Sequence, residues 1–332
     1  MYNVVVVGKA NIDYLVRGPR LPAPGQSLSG DAFQEAAGGK GANQAVGAAR
    51  LGARVARVAG IGQDARGNAV LAKLRDEGVE TRFITRDPEA PTGVALCQVG
   101  ASGEKQILSA SGANARLTAS CVRQAAAAFT SAKVVLCQLG VPLDAVWEAI
   151  RLAKSVRAMV MLDPGPPAPV PDDLIARIDV IRPNASEARM LTGIAVSDRA
   201  SAREAALDLL RRGAKAAAVQ AGEDGDVLLS GGREVWLPRL EVKRVDATGA
   251  GDAFASGLAV CLAEGKPLEE AGRFASTASP RGSWPMRATI ATRAPSRAAP
   301  TAWFAPLPPA ASWKPSPLND CPGAGSRGPR TR

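Results

Sequence analysis

Short unbroken apolar runs alternate with amphipathic stretches through the first 279 positions. Val4–Val7, Val55–Ala59, Val134–Cys137, Met159–Leu162, Val180–Ile181 and Ala216–Gln220 read as strands buried on both faces. Between them Asn43–Leu51, Asp64–Glu77, Leu143–Ser155, Ser201–Arg212 and Gly251–Glu264 read as helices. Gly52, Gly78 and Gly213 follow three of these as C-caps. Strand–helix alternation predicts an α/β fold, a mostly parallel sheet with helices on both faces. Two segments, Ser27–Glu35 and Thr92–Ser109, look extended and are predicted to form a small β-layer standing off the main sheet, suited to a lid or an interface. The division expected is one domain over 1–279, with lid strands at about 12–37 and 92–110, and an unpatterned tail over 280–332.

The tail differs in kind. It holds 11 of the 25 prolines and three of the five tryptophans, with neither helical nor strand periodicity. It also carries eight Lys/Arg against one acidic residue, so +7 of the net +10 charge lies there and only +3 on residues 1–279. A basic footprint of that kind does not describe a nucleic-acid-binding domain, and no nucleic-acid partner is expected. No run approaches 18 apolar residues, so no membrane partner is expected either. The five cysteines are scattered singly, which fits a reducing, cytoplasmic setting and argues against a disulfide framework or a zinc site.

The chain has no histidine, which removes Ser-His-Asp, Cys-His and His–metal chemistry. Lys40 is followed by Gly41, so there is no GxxxxGK[ST] phosphate loop, and no GxGxxG follows the first strand. Four other patterns carry candidate chemistry. In Val245–Phe254 a loop runs through Gly249, Ala250 and Gly251 into a helix. Small residues there let backbone N–H groups and the helix dipole converge on an anion. Asp252, at the helix start, is placed to take a proton from an attacking hydroxyl; the plain alternative is an acidic residue in an ordinary first turn. In Gly38-Gly39-Lys40-Gly41-Ala42-Asn43, glycines permit close ligand approach while Lys40 and Asn43 offer a charge and an amide; the alternative is a glycine-rich turn with an Asn cap. Asn11 and Asp13 are two apart, hence on one face of an extended segment, where they can meet vicinal hydroxyls; a loop with surface polars is the alternative. Asn184 and Glu187, after Pro183, can bear on Mg²⁺-bound water and phosphate, although Asn-x-x-Glu also matches a capping box.

Taken in this order, the four motifs resemble the ribokinase branch of the PfkB carbohydrate kinases over about residues 3–279. The resemblance implies a Rossmann-like domain with a β-clasp lid, a homodimer through the lids, and transfer of the γ-phosphate of ATP to a primary hydroxyl of a pentose such as ribose. It implies that Asn11, Asp13, Gly39, Lys40, Gly41 and Asn43 hold the sugar and that Asp252 is the base, with Gly249, Ala250 and Gly251 as the anion hole. Asn184 and Glu187 would serve phosphate and Mg²⁺, Gly222 and Gly225 would cover the nucleotide, and Asp246 with Thr248 would form part of a K⁺ site. The chain departs from the family at three places. The Gln-Leu-Glu run that supplies a sugar contact is here Gln138-Leu139-Gly140; Gln220 stands where a Thr is usual; and the Ala-rich helix with its Thr-Arg-x-Gly-Ala segment is missing after Ala275. The K⁺ site is therefore expected to be incomplete, and a reading-frame shift near codon 279 is expected as the origin of the tail. A kinase for another sugar or a nucleoside, or a non-catalytic relative, remain the alternatives to a ribose kinase.

Overall fold

The computed structural model describes residues 1–222, 224–238 and 249–278. Among the described residues its frame is a sheet of nine strands. The middle is β1 (Val4–Val7), flanked on one side by β4 (Val55–Gly62) and β5 (Ile84–Asp87). On the other side lie β8 (Val134–Gln138), β9 (Met159–Asp163), β10 (Val180–Ile181) and β11 (Ala216–Ala221). These seven are parallel, and an antiparallel hairpin of β12 (Gly225–Ser230) and β13 (Arg233–Pro238) closes the far edge. Every residue of β1, β4 and β8 is buried, as unbroken apolar runs require when helices cover both faces.

One face packs against α3 (Ala119–Gln124), α4 (Ala126–Phe129), α5 (Leu143–Ser155), α6 (Asp172–Ile175), α7 (Ala185–Thr192) and α8 (Arg199–Arg211). The other packs against α1 (Lys40–Arg50), α2 (Ala65–Asp76), α9 (Ala250–Ala263) and α10 (Leu268–Ala278). Side chains of β1 alternate between the two cores, Val5 and Val7 to one, Val4 and Val6 to the other. The sequence pattern placed α1 three residues late, since the helix already begins at Lys40. Glycines at 38, 39 and 41 mask that start from a periodicity reading.

A second sheet has the order β3 (Ala32–Gly38), β2 (Asn11–Arg17), β6 (Gly93–Val99), β7 (Lys105–Ala110). It is the small β-layer that the sequence predicted, although its first hairpin strand runs over Ala32–Gly38, not Ser27–Glu35, and Asn11–Arg17 supplies a further strand. The register puts Asn11, Asp13, Ala95 and Cys97 on one face and Tyr14, Val16, Phe33, Leu96 and Leu108 on the other. That second face is open: Phe33 is 64% and Leu108 73% exposed.

Candidate active site

The polar residues of this fold collect at the carboxyl ends of the parallel strands. Lys9 follows β1, Gln138 ends β8, Asp163 ends β9, Arg182 follows β10 and Gly222 follows β11. The strand order reverses beside β1, whose neighbours are β4 and β8. Crevices at such switch points are where open α/β sheets take ligands.

Asp252, in the first turn of α9, is the hub. Its Oδ2 accepts from Asn43 Nδ2 at 2.9 Å and its Oδ1 from Gln44 Nε2 at 3.1 Å, both donors on α1. Gln44 Nε2 also donates to Asp163 Oδ2 at 2.6 Å, and Gln138 Nε2 donates to Gln44 Oε1. Lys40 bridges Asp163 Oδ1 at 2.7 Å and Glu187 Oε1 at 2.8 Å. Burial raises the Asp252 carboxyl to about 6, with nearby Asp163 adding to the rise, while Lys40 and the Asn43 and Gln44 amides work the other way. Burial disfavours the Lys40 ammonium, yet the Asp163, Glu187 and Asp252 carboxylates outweigh it and raise its pKa. This lysine is a fixed cation.

The turn joining β1 to β2 brings in the next residues. Gly39, at φ 87, packs where a methyl group would lie 3.0 Å from the Lys9 carbonyl oxygen and 3.1 Å from the Asn11 nitrogen. Arg57, fully buried on β4, pins that turn by donating to the carbonyls of Val6, Gly8 and Lys9. Asn11 is buried and its Oδ1 accepts from Asn114 Nδ2 at 3.0 Å. Asp13 on the same face has its carboxyl raised to about 6 by burial, against the pull of Lys9 and a backbone N–H of Gly39, and its Oδ1 is buried without a hydrogen-bond partner. Burial lowers the pKa of the Lys9 ammonium, Asp13 and Asp252 work against that and Lys40 adds to it, so the charges of both clusters bear on this one lysine. The stem of Lys9 lies over Gly140, where a methyl group would come within 2.7 Å of its Cδ.

Asn184 and Glu187 form the capping box of α7: Glu187 N donates to Asn184 Oδ1 and Asn184 N to Glu187 Oε2, each at 2.9 Å. The capping-box reading of that motif holds, and Glu187 Oε1 also pairs with Lys40. Gly249 takes φ 81 as it opens α9, and Ala250 and Gly251 form the first turn of that helix, whose N-terminal end carries positive potential. Gly222 and Gly225 flank the β11–β12 connection, held against Ser197 O and Leu237 O. Asp246 and Thr248 lie outside the described residues, as does Glu223 within the Gly222–Gly225 loop.

Asp163, Gln44, Asn114 and Arg57 join this network although the sequence reading did not single them out, and Arg182 lies beside the first turn of α9 at Gly251. Asp163 was signalled by its place, a carboxylate ending an apolar strand, and Gln44 by adjacency to Asn43. Arg57 offered no local signal, since most of its partners lie on β1 and in the turn that follows it.

A family model described as "pfkB family carbohydrate kinase" matches residues 1–280. The chain belongs to the pfkB family of carbohydrate kinases. Among pfkB relatives it is 38% identical to a ribokinase of Haemophilus influenzae over 276 residues, 83% of this chain and 90% of that protein. It is 38% identical to a ribokinase of Mus musculus over 263 residues, 78% and 81% of the two chains. The solved structure of an Arabidopsis thaliana ribokinase complexed with ribose and ATP superposes with a TM-score of 0.74 at 32% identity, covering 84% of this chain and 91% of that one. This pfkB protein is accordingly a sugar kinase, a phosphotransferase with an alcohol acceptor, and membership implies ATP together with a metal.

Proposed function

We propose that this kinase phosphorylates D-ribose on its primary hydroxyl, giving ribose 5-phosphate. The observation that carries the reading is the buried Asp252 beside the N-terminal turn of α9, because it joins a carboxylate raised to about 6 to a cradle of backbone N–H groups. The ribose-named relatives support the choice of sugar. Asn11, Asp13, Gly39, Gly41 and Asn43 hold the hydroxyls, Asn43 also orienting Asp252. Asp252 accepts the proton of the attacking hydroxyl, and Gly249, Ala250 and Gly251 receive the charge of the transferring phosphoryl group. Lys40 keeps Asp163 and Glu187 compensated.

Gly222, Gly225 and Asn184 bear on the nucleotide. Among the described residues no group of three or more His, Cys, Asp or Glu could cage a metal, which fits an ion carried mainly by phosphate and water, with Glu187 as the protein carboxylate in reach through water. Such an ion, Mg²⁺ in this reading, would supply charge to the phosphates when bound. The four-stranded sheet acts as the lid over the sugar, and its open apolar face is the dimer surface.

A panel of ribose, 2-deoxyribose, fructose and adenosine, each with ATP and Mg²⁺, tests the substrate. ADP formation is expected fastest per micromolar of ribose. Preference for adenosine or a hexose over ribose by kcat/KM refutes the ribose assignment.

A further inference from the structure

Arg182 is a residue that the ribose-kinase chemistry above leaves without a task. It follows β10 directly, its backbone N–H completing the sheet by donating to Leu162 O at 2.8 Å, and it is only 3% exposed. The guanidinium stacks on the ring of Phe254, on α9, with Cζ 5.0 Å from the centroid. Its Nη1 points at the first turn of the same helix, where a methyl group on Gly251 would lie 2.8 Å away. Gly251 is therefore the residue that leaves room for this cation.

Its donors are under-used. Nε is buried with no hydrogen-bond partner. The nearest carboxylate oxygen in an ion pair, Asp226 Oδ1, is 3.8 Å from Nη2, beyond hydrogen-bond reach. A guanidinium has five N–H donors, and burying them unmatched is costly. The location makes it more so. A helix N-terminus carries positive potential, so a buried cation there is repelled unless an anion sits between them. Among the described residues Asp226 supplies partial compensation, and Asp252, next in sequence to Gly251, is turned toward Asn43 and Gln44. Two positive elements aimed at one small volume, with a glycine clearing it, describe a site for a polyanion.

We propose that Arg182 is a phosphate-binding catalytic residue, its guanidinium engaging the phosphate chain of the nucleotide at the N-terminus of α9. The proposal rests on the kinase reading for the identity of the anion. It places the cation on the nucleotide side of the cleft, between β12 and α9, opposite the sugar residues of β2. A planar fork binds phosphate oxygens in pairs, and a lysine at this position, lacking the fork and the stack on Phe254, replaces it only in part.

The test uses the intact chain and two variants, Arg182→Met and Arg182→Lys, with folding checked by circular dichroism. Calorimetry measures binding of ATP, AMP and inorganic tripolyphosphate. Arg182→Met is expected to weaken ATP and tripolyphosphate by roughly 10- to 100-fold, the effect of a charge-assisted contact, and to leave AMP within about twofold. Arg182→Lys should fall between. A purely structural role would weaken all three ligands together or none. Unchanged ATP binding by folded Arg182→Met overturns the proposal, as does failure of the intact chain to bind either ATP or tripolyphosphate. Arg182-dependent binding of ATP without phosphate transfer to any sugar removes the kinase reading and leaves Arg182 standing. Normal transfer with an unchanged KM for ATP in Arg182→Met does the reverse. Should neither variant fold, Gly251→Val probes the same volume from the other side and is expected to weaken ATP and tripolyphosphate equally, AMP being spared; unchanged binding there overturns the proposal as well.

Discussion

Gly140 and Lys9 are coupled by contact. The family resemblance implies a Glu acting as sugar acceptor at this position, whereas here the Lys9 stem fills the space over Gly140. Gly140→Glu alone must push that stem aside. In a Lys9→Ala background the space is open, and the new carboxylate is expected to lower the KM for ribose about tenfold relative to Lys9→Ala alone, the effect of a hydrogen bond to a charged group. A KM that rises in both backgrounds would show that position 140 does not face the sugar. Single residues were legible where the chemistry is local. Asp252 after Gly-Ala-Gly, and Asn43 after the glycines of α1, announced themselves by spacing. Arg57 did not, because its meaning comes from the Gly8 and Lys9 carbonyls in the turn after β1, and Asp163 showed only its place at a strand end, its partner Lys40 lying far off in the sequence. Arg57 even sits inside the run Val55–Ala59, where an apolar residue is the natural expectation.

Elements were read with similar unevenness. The strands Val4–Val7 and Val180–Ile181 match the apolar runs residue for residue, because burial on both faces leaves no polar position to confuse them. The lid was harder, since β7 is exposed along its whole length and β3 alternates weakly. That exposure has a consequence. Val16, Phe33, Leu96 and Leu108 make one apolar face on a small sheet, and such faces are costly to leave in water. Leu108→Lys combined with Phe33→Lys is expected to convert a dimer to a monomer in sedimentation experiments while each protomer keeps its fold. A wild-type chain that sediments as a monomer at tens of micromolar would remove the lid-dimer idea.

At the scale of the whole molecule the family match covers residues 1–280, and composition changes in charge, proline and tryptophan at the same place. α10 packs on α9 where Ala275 and Ala278 meet Gly257, so the helix pair is an integral part of the second core. We infer that a frame shift near codon 279 replaced the segment that closes the nucleotide and K⁺ sites. Losing a few buried side chains, at roughly 1.5–3 kcal/mol each, is comparable to the net stability of a domain. The intact chain is expected to be marginally stable, weakly active and insensitive to K⁺. Translating the coding DNA beyond codon 279 in the other two frames should reveal a Thr-Arg-x-Gly-Ala-like segment. Its absence from both frames, or strong K⁺ stimulation of the purified chain, counts against the inference.

The central claim is that Asp252 is the base of a sugar kinase, and the pH dependence of ribose-driven ADP formation tests it most directly. A base must be unprotonated, so with the carboxyl raised to about 6, kcat/KM should climb about tenfold per pH unit below that value and level off above it. Asp252→Asn should lower kcat at least about 100-fold and abolish that acid limb, with ATP binding retained. An Asn variant that keeps a near-wild-type rate, or a wild-type profile flat from pH 5 to 8, contradicts the account.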